Sequence, residues 1–410
     1  MNLESCVITE KKSLLTVEEA QQRIHDAIFP LTESEVVPLK QAFGRVLAET
    51  LLAPINLPTA RNAAMDGYAF SSQYFSSRLT NVGTSWAGKP FERDLKTGEC
   101  VRIFTGAVLP ENADSVVMQE VVTVHGSLVN FPAAVKLKKN VREIGEDVRV
   151  GDTLCKLGKT LSAIDLGFLA AAGIEKVAII RKVKIAYFST GDELVSLGEP
   201  LARGKIYDSN RYSLHGLLQN PNYEITDGGV IPDDKADLKR TLLQAASAFD
   251  VVITTGGASV GEADFVKAVL EECGDVNFWK IAMKPGKPLV FGKIGACYFF
   301  GLPGNPVAVT TTFDIIVKPA LVHLSGSDFK KPFQITAVCA TTLKKSRGRQ
   351  EYQRGILQQF ETGEFQVSST GHQGSHVLST ASAANCYIVL PVDCIGIQVG
   401  EPVTVILHTF

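Results

Sequence analysis

Phe249-Asp-Val-Val-Ile-Thr-Thr-Gly-Gly-Ala-Ser-Val-Gly-Glu-Ala-Asp264 reads as a buried strand that runs into a double-glycine turn and then into the start of a helix. Gly256 and Gly257 lack side chains, so the backbone there can approach a ligand, and Ser259 and Gly261 lead into the helix. In open α/β sheets, ligands bind in the crevice at the carboxyl ends of the strands, and the N–H groups of a helix N-terminus favour an anion. The stretch therefore has the chemistry of a phosphate or oxyanion cradle. A tight strand-to-helix turn N-capped by Asp264 is the plainer reading of the same residues, and neither the dinucleotide fingerprint nor the G-x-x-x-x-G-K-[ST] loop is matched.

Working outward, the α/β character extends over about 182–326. Strands are expected at 183–188, 223–231, 250–254, 289–291 and 298–300, and helices at 209–219, 234–249 and 264–273, with a long helix after Asn305-Pro306. Such alternation implies crossover connections and a mostly parallel sheet with both faces covered.

On the N-terminal side, Thr16-Val-Glu-Glu19 is a capping box that opens a helix running to about Phe29, and Ser162-x-x-Asp165 opens another that stops at Gly173. A short helix is expected at about 44–50, before Ala53-Pro54 and Leu57-Pro58 force an extended path. From 68 to 139 the pattern changes to short β-rich runs at 100–104, 115–124 and 134–137. After 330 the alternation stops, and strand-like segments at 334–340, 351–358, 364–368, 386–390 and 401–407 predict a small all-β barrel or sandwich.

Length and composition agree with several units. At roughly 150 residues per domain, 410 residues make two to four, and 45% hydrophobic with 20% charged residues is ordinary globular usage. Forty-one Lys plus Arg against forty-three Asp plus Glu leaves no basic excess for a nucleic-acid partner. The apolar runs around 166–174 and 296–302 contain glycines and fall short of the ~20 residues of a membrane helix. The N-terminus has no signal-peptide h-region, so a cytoplasmic location is expected. Eight scattered cysteines without a C-x-x-C pair read as mostly buried thiols.

Three further clusters carry chemistry. Lys280, Lys284 and Lys287, beside Pro285, Gly286 and Pro288, make a stiff cationic loop suited to an oxyanion; alone they read first as solvated turn lysines, and following the Gly-Gly-x-Ser turn on the same α/β unit weakens that reading. Ser189-Thr-Gly-Asp-Glu193 and Ile231-Pro-Asp233-Asp234 place carboxylates at strand exits, where a divalent ion on a phosphate needs one or two such oxygens. Taken singly, each is also what a helix N-cap needs. Gly301-Leu-Pro-Gly-Asn-Pro306 is a rigid loop feeding a helix. The His372 and His376 pair lies in a glycine-rich run with no helix-borne carboxylate beside it, which argues against a metal.

In their order along nearly the whole chain, these pieces resemble the MoeA family, the molybdopterin molybdenumtransferases that include the gephyrin E domain. The resemblance rests on Asn62-Ala-Ala-Met-Asp66-Gly-Tyr-Ala, Thr105-Gly-Ala, Gly145-Glu-Asp147-Val-Arg and Ser189-Thr-Gly-Asp-Glu193-Leu. It rests equally on Thr255 to Asp264, Lys280 to Pro288, Gly301 to Pro306, Arg349 to Gly355 and Gly371-His-Gln-Gly-Ser375. It departs at Ala308, where the family pattern carries Ser, and at Pro58-Thr-Ala-Arg61, where Pro-Pro-Phe-Asp is common.

The resemblance implies an elongated subunit with a mostly parallel three-layer α/β domain (181–328), an inserted β-rich module (55–140), a helical linker domain (1–54 with 141–180) and a C-terminal β-barrel (329–410). It implies a Mg²⁺-dependent homodimeric transferase that inserts molybdate into adenylylated molybdopterin with release of AMP. The molybdopterin adenylyltransferase and recipient molybdoenzymes are further expected partners. On this pattern Asp66, Asp147, Glu193, Asp233, Asp264, Lys280 and Lys284 are the catalytic candidates, and Glu193, Asp233 and Asp264 are the metal candidates. Thr105, Gly256, Gly257, Ser259, Pro303, Pro306, Arg354 and Ser375 are the substrate-binding candidates, Arg354 and Ser375 toward molybdate. Asp66, Thr105, Asp147 and Glu193 are expected in one cleft, contributed partly across the dimer. The alternative is a non-catalytic molybdopterin-binding scaffold of the same fold. A nucleotide-processing enzyme sharing only the α/β unit would leave Met65-Asp-Gly-Tyr68 and the last 80 residues without a role.

Overall fold

The computed structural model describes residues 14–256, 265–327 and 329–408. Its centre is a six-stranded sheet in the order Tyr223–Ile231, Val183–Thr190, Val251–Thr255, Cys297–Leu302, Pro288–Ile294, Asp275–Lys280. The first four strands are parallel, and the last two are added antiparallel. The sheet is thus mostly parallel, as expected, with an additional strand, Asp275–Lys280, whose end takes in the start of the lysine loop.

Side chains alternate across the strands and so create two apolar faces. Ile185, Tyr187, Val251, Ile253, Phe300 and Leu302 face one core, with the helix Ser209–Leu217 and the long helical segment from Pro306. Ala186, Phe188, Val252 and Phe299 face the other, where the helix Lys235–Ala248 presents Leu238, Leu242 and Ala245 at helical spacing. Helices on both faces make the three-layer unit.

The segment Pro306–Leu324 is helical throughout, with a π turn at Phe313–Val317. It is longer than either apolar run singled out in the sequence. Among the described residues it alone is long and apolar enough to cross a bilayer, and 61% of its most apolar window is buried inside the protein.

The helix Val17–Ala27 begins with the expected capping box, Thr16 and Glu19 each satisfying the other's backbone N–H. Its buried Val17, Ala20 and Ile24 pack into the first α/β core, and the Gln21 amide donates to the Ile315 carbonyl at 2.7 Å. The linker segment holds a second capped helix, Ala163–Ala171, and paired strands Ser34–Pro38 with Lys176–Ile180. The helix expected at 44–50 is absent. Val46 and Leu47 form bridges to Thr160 and Ile179 instead, because their fully buried side chains fill the core between those strands.

The inserted module is a six-stranded sheet ordered Ser115–Met118, Gly67–Phe70, Glu99–Ile103, Arg78–Ser85, Leu128–Asn130, Thr123–His125. Residues 134–137, expected as a strand, form an irregular segment with bends at Ala134 and Leu137. The C-terminal unit closes as a five-stranded barrel: Gln350–Gln359, Phe365–Ser369, Gln334–Cys339, Pro402–Leu407 and Cys386–Leu390, which pairs back to the first. All seven described cysteines are free, and five are buried.

The barrel is tied to the α/β unit through polar contacts. Tyr387 donates its hydroxyl to Asp314 Oδ2 at 2.9 Å, and the Val307 N–H donates to the Ser375 carbonyl at 3.0 Å. Burial pushes the Asp314 carboxyl up to about 6, opposed by the Tyr387 hydrogen bond and by Lys318 one turn on. Its pKa is thus raised above the ordinary value near 4. The stability it contributes is complete below that value and is lost as pH rises through about 6. Asp314→Asn keeps an acceptor for Tyr387 and removes the ionisation. Thermal melts from pH 4 to 8 are expected to show the variant at least as stable as the parent above pH 6.5, with the difference vanishing at the acid end.

Candidate functional site

Parallel pairing sends the carboxyl ends of Val183–Thr190, Tyr223–Ile231, Val251–Thr255 and Cys297–Leu302 to the same edge of the sheet. Four loops leave from there and hold one another. Gly256, at φ +87°, lies so close to Thr190 that an added Cβ would sit 2.7 Å from its carbonyl oxygen and its hydroxyl oxygen. Only glycine fits this position. Gly257, Ser259 and Asp264, three of the residues singled out from the sequence, lie outside the described residues.

Gly191, at φ +139°, begins the next loop, and the Glu193 carboxylate folds back over it. Asp192 and Asp233 clasp each other across neighbouring strand ends: the Asp233 N–H donates to Asp192 Oδ1 at 3.1 Å, and the Asp192 N–H to Asp233 Oδ2 at 3.3 Å. Lys205 Nζ donates to the Asp192 carbonyl, and the Ile206 N–H to that of Glu193 at 2.8 Å. Asp192, Glu193 and Asp233 are all exposed.

Pro303 is buried beside the fourth loop, Gly304 faces Gly256, and Pro306 opens the helix that follows. Asn210, at the start of the helix capped by Asp208, donates its amide to the Gly304 carbonyl at 2.8 Å, while its buried Oδ1 has no hydrogen-bond partner among the described residues. Asn210 and Asp192 were not among the candidates read from the sequence. Asp192 was visible in Thr-Gly-Asp-Glu193 as a second carboxylate, whereas nothing local to Asn210 marks it, since its partner lies 94 residues away.

Lys280 is exposed at the end of an antiparallel strand, where it pairs with Pro288. Lys284 lies on a two-residue strand against Gln350–Glu351, and its ammonium pairs at 3.1 Å with Glu351, whose side chain is 4% exposed. The Lys284 charge is therefore already shared with a buried carboxylate. Arg354 is almost wholly buried. Its guanidinium donates to the carbonyls of His372 at 2.9 Å and Gly374 at 3.1 Å and to the Thr380 hydroxyl. That arrangement shapes the 372–375 loop, whose Ser375 carbonyl receives the Val307 N–H.

Asp66, Thr105 and Asp147 lie elsewhere. The Thr105 N–H and hydroxyl both donate to Asp66 Oδ1, at 2.8 and 2.7 Å. The Thr105 amide first, then its hydroxyl, then Arg102 hold the Asp66 carboxyl below its ordinary range. Asp147 is exposed in the turn that bonds back to Leu57 and Pro58, next to the Asn62–Arg142 strand pairing. Among the described residues no hydrogen bond or ion pair joins these three to the α/β edge.

Magnesium takes few protein ligands, usually one or two carboxylates completed by water and phosphate oxygens. The exposed pair Asp192 and Asp233, each with one oxygen engaged by an amide, fits that demand. Among the described residues no cluster of three or more His, Cys, Asp or Glu side chains forms a complete cage.

A parallel α/β edge with a glycine turn and gathered carboxylates is the place where open α/β folds bind their ligands. Family profiles described as "MoeA N-terminal region (domain I and II)", "Probable molybdopterin binding domain" and "MoeA C-terminal region (domain IV)" match residues 15–173, 186–323 and 336–408. Molybdopterin molybdenumtransferase of Haemophilus influenzae is 44% identical over 96% of this chain and 98% of that protein. Gephyrin of Dictyostelium discoideum is 32% identical over 92% of this chain and 59% of its own length. A crystal structure of the molybdopterin biosynthesis MoeA protein of Pyrococcus horikoshii superposes with a TM-score of 0.83 at 30% identity, covering 97% of this chain and all of that one. The chain belongs to the MoeA family.

Two outcomes follow from the geometry. Thr105→Val removes one of the two donors to Asp66 Oδ1, so the Asp66 carboxyl rises toward its ordinary value, read from a carboxyl-carbon NMR titration. Asn210→Ala releases the Gly304 carbonyl, and amide hydrogen exchange across 303–308 is expected to accelerate about five- to tenfold, the loss of one hydrogen bond of ~1–1.5 kcal/mol.

Proposed function

We propose that the protein inserts molybdate into adenylylated molybdopterin with release of AMP, the last step of molybdenum cofactor synthesis. The family is one of molybdopterin-binding transferases, and the chain matches it along nearly its whole length. The observation that carries the reading is the meeting of the Gly256 turn, the Gly304 loop and the Asp192–Asp233 clasp at one sheet edge of the region matched as molybdopterin-binding.

Cleaving a phosphoanhydride depends on positioning and on stabilising charge as it develops on the phosphate oxygens. The turn at Gly256, with Gly257 and Ser259, would hold the phosphates. Lys280 and Lys284 would attract the dianionic molybdate. The Lys284–Glu351 pair keeps the Lys284 ammonium at a fixed place rather than free in solvent. Arg354 would act on molybdate through the loop that carries Ser375, with Pro303 and Pro306 as the opposite, rigid wall.

Magnesium, when bound, supplies positive charge to the phosphate oxygens. Asp233, Glu193 and Asp264, together with Asp192, would hold it. Asp66, Thr105 and Asp147, which lie outside the α/β unit, would complete the site of a second protomer in a homodimer. A cytoplasmic location, the adenylyltransferase as donor and molybdoenzymes as acceptors belong to the same proposal, with neither nucleic acid nor membrane as partner.

Incubation with adenylylated molybdopterin, molybdate and magnesium is expected to release AMP and to reconstitute an apo molybdoenzyme. Asp264→Asn and Asp233→Asn should each lower AMP release at least 100-fold with melting temperatures within a few degrees of the parent. AMP release no faster than in buffer would return the chain to a non-catalytic scaffold.

A further inference from the structure

Strands Gly67–Phe70 and Glu99–Ile103 of the inserted module run antiparallel, with Gly67 opposite Ile103 and Tyr68 opposite Arg102. Asp66 precedes the first strand and Thr105 follows the second, so the pairing itself brings them together. The same register carries Arg102 to the backbone beside Asp66. Its Nη1 donates to the Gly67 carbonyl at 2.8 Å, and its Nη2 donates to Gln119 Oε1. The Gln119 N–H donates in turn to the Asp66 carbonyl at 3.1 Å. Both carbonyls of the Asp66-Gly67 pair are therefore held, and Arg102 ties the two holders to each other. The fit is close: a Cβ at Gly67 would sit 2.0 Å from the Val117 carbonyl oxygen, so the pair is pressed against the strand Ser115–Met118.

Arg102 is itself fixed. Its guanidinium carbon lies 4.6 Å from the centroid of the Phe104 ring and 5.3 Å from that of Tyr68. The exposed Trp86 stacks on Phe104 at 4.3 Å, with the ring planes 12° apart. Aromatic faces favour a guanidinium at such distances, and its planar fork aims two N–H groups in set directions, which a lysine cannot do. Both of these bonds end on uncharged oxygens, which leaves the positive charge to act at longer range. Among the described residues Arg102 is the charged group that bears on the Asp66 carboxyl, after the Thr105 amide and hydroxyl. The neighbouring Glu120 turns to Gln119 instead, accepting its Nε2 at 3.1 Å.

The result is a carboxylate with one oxygen taken and one open. Thr105 occupies Oδ1 twice, and Oδ2 has no hydrogen-bond partner among the described residues. A carboxylate kept ionised is a weak base but a strong acceptor, and an acceptor serves a reaction only if it is held where the donor arrives. We propose that Arg102 is a positioning residue of the transferase reaction, clamping the Asp66-Gly67 backbone so that Asp66 Oδ2 stands as a fixed acceptor for an N–H or O–H group of the substrate. The proposal rests on the transferase reading and on Asp66 belonging to its site. Unlike the Thr105 bonds, the clamp acts on the main chain, so it sets where the carboxylate stands as well as how it is turned.

The test pairs AMP release with a carboxyl-carbon NMR titration of Asp66 in the full chain. Arg102→Gln removes the fork and the charge, and Arg102→Lys removes the fork alone. Both are expected to lower kcat for AMP release about tenfold, against roughly a hundredfold for a misplacement of about 1 Å. The KM for molybdate stays unchanged, because the lysine loop and Arg354 lie on other units. In Arg102→Gln the lost cation lets the Asp66 carboxyl rise, so Asp66 gains its proton at a higher pH and the acid limb of the kcat/KM profile moves up with it. In Arg102→Lys the titration and the limb stay near those of the parent while the rate still falls. Gln119→Leu frees one prong of the fork, spares the backbone bond to Asp66, and repeats the rate measurement should Arg102→Gln melt early. In a parent that releases AMP, an Asp66 titration and acid limb unmoved in Arg102→Gln, or a full rate in Arg102→Lys, would each overturn the assignment. A parent that releases no AMP overturns the transferase reading, and the Asp66 titration still decides whether Arg102 holds that carboxylate.

Discussion

Parallel pairing of Val183–Thr190 with both of its neighbours is the constraint on which the site depends. Parallel strands cannot be joined by hairpins, so each must cross over through a helix, and each carboxyl end must open on the same edge. That edge brings Thr190, Gly256 and the 303–306 loop into contact although they are scattered over more than a hundred residues. The glycines follow from the crowding: Gly256 has its neighbour's carbonyl where a Cβ would be. The carboxylates follow as well, since Asp192 and Asp233 leave adjacent strands and find each other's amides.

The barrel adds a second constraint. It meets the α/β unit through the Asp314–Tyr387 hydrogen bond, the Val307–Ser375 hydrogen bond and the two-residue strand Met283–Lys284 laid on Gln350–Glu351. Two of the three contacts involve segments singled out as sites, the lysine loop and the loop of Ser375. Docking and ligand geometry are therefore coupled: a shift of the barrel moves Glu351 against Lys284 and Ser375 against the helix that follows Pro306.

Much of this was legible in the residues. The run Val251–Thr255 and the two capping boxes at Thr16 and Ser162 specify their elements locally, and the structure has them where the side chains dictate. The sheet's two covered faces are legible from the alternation of strands with helices along 182–326. The misses share a cause in long-range contact. Residues 44–50 have helical spacing, yet burial of Val46 and Leu47 against strands far along the chain outweighs local propensity. Asp275–Lys280 pairs only because Pro288–Ile294 turns back beside it. Val17–Ala27 is a clear helix, but its packing partner, the helix after Pro306, is nearly three hundred residues away. Asn210 reads as an ordinary residue in the first turn of a helix, and its role emerges only from where Gly304 comes to rest.

The π turn at Phe313–Val317 lets one continuous helix serve two masters. In a plain α-helix successive residues advance by ~100°, so widening one turn by a residue resets the phase of everything beyond it. Ahead of the turn, Val307 and Thr310 line a cavity shared with the barrel; beyond it, Leu324 receives the chain at Leu31, and His323 stacks on His25. Deleting a single residue within 313–317 would restore plain α-helical phase, yet swing one half away from its neighbours. The extra residue is thus a fixed rotation between two halves of a rigid rod, and the alignment of barrel, sheet and N-terminal helix is set by counting residues rather than by any one contact.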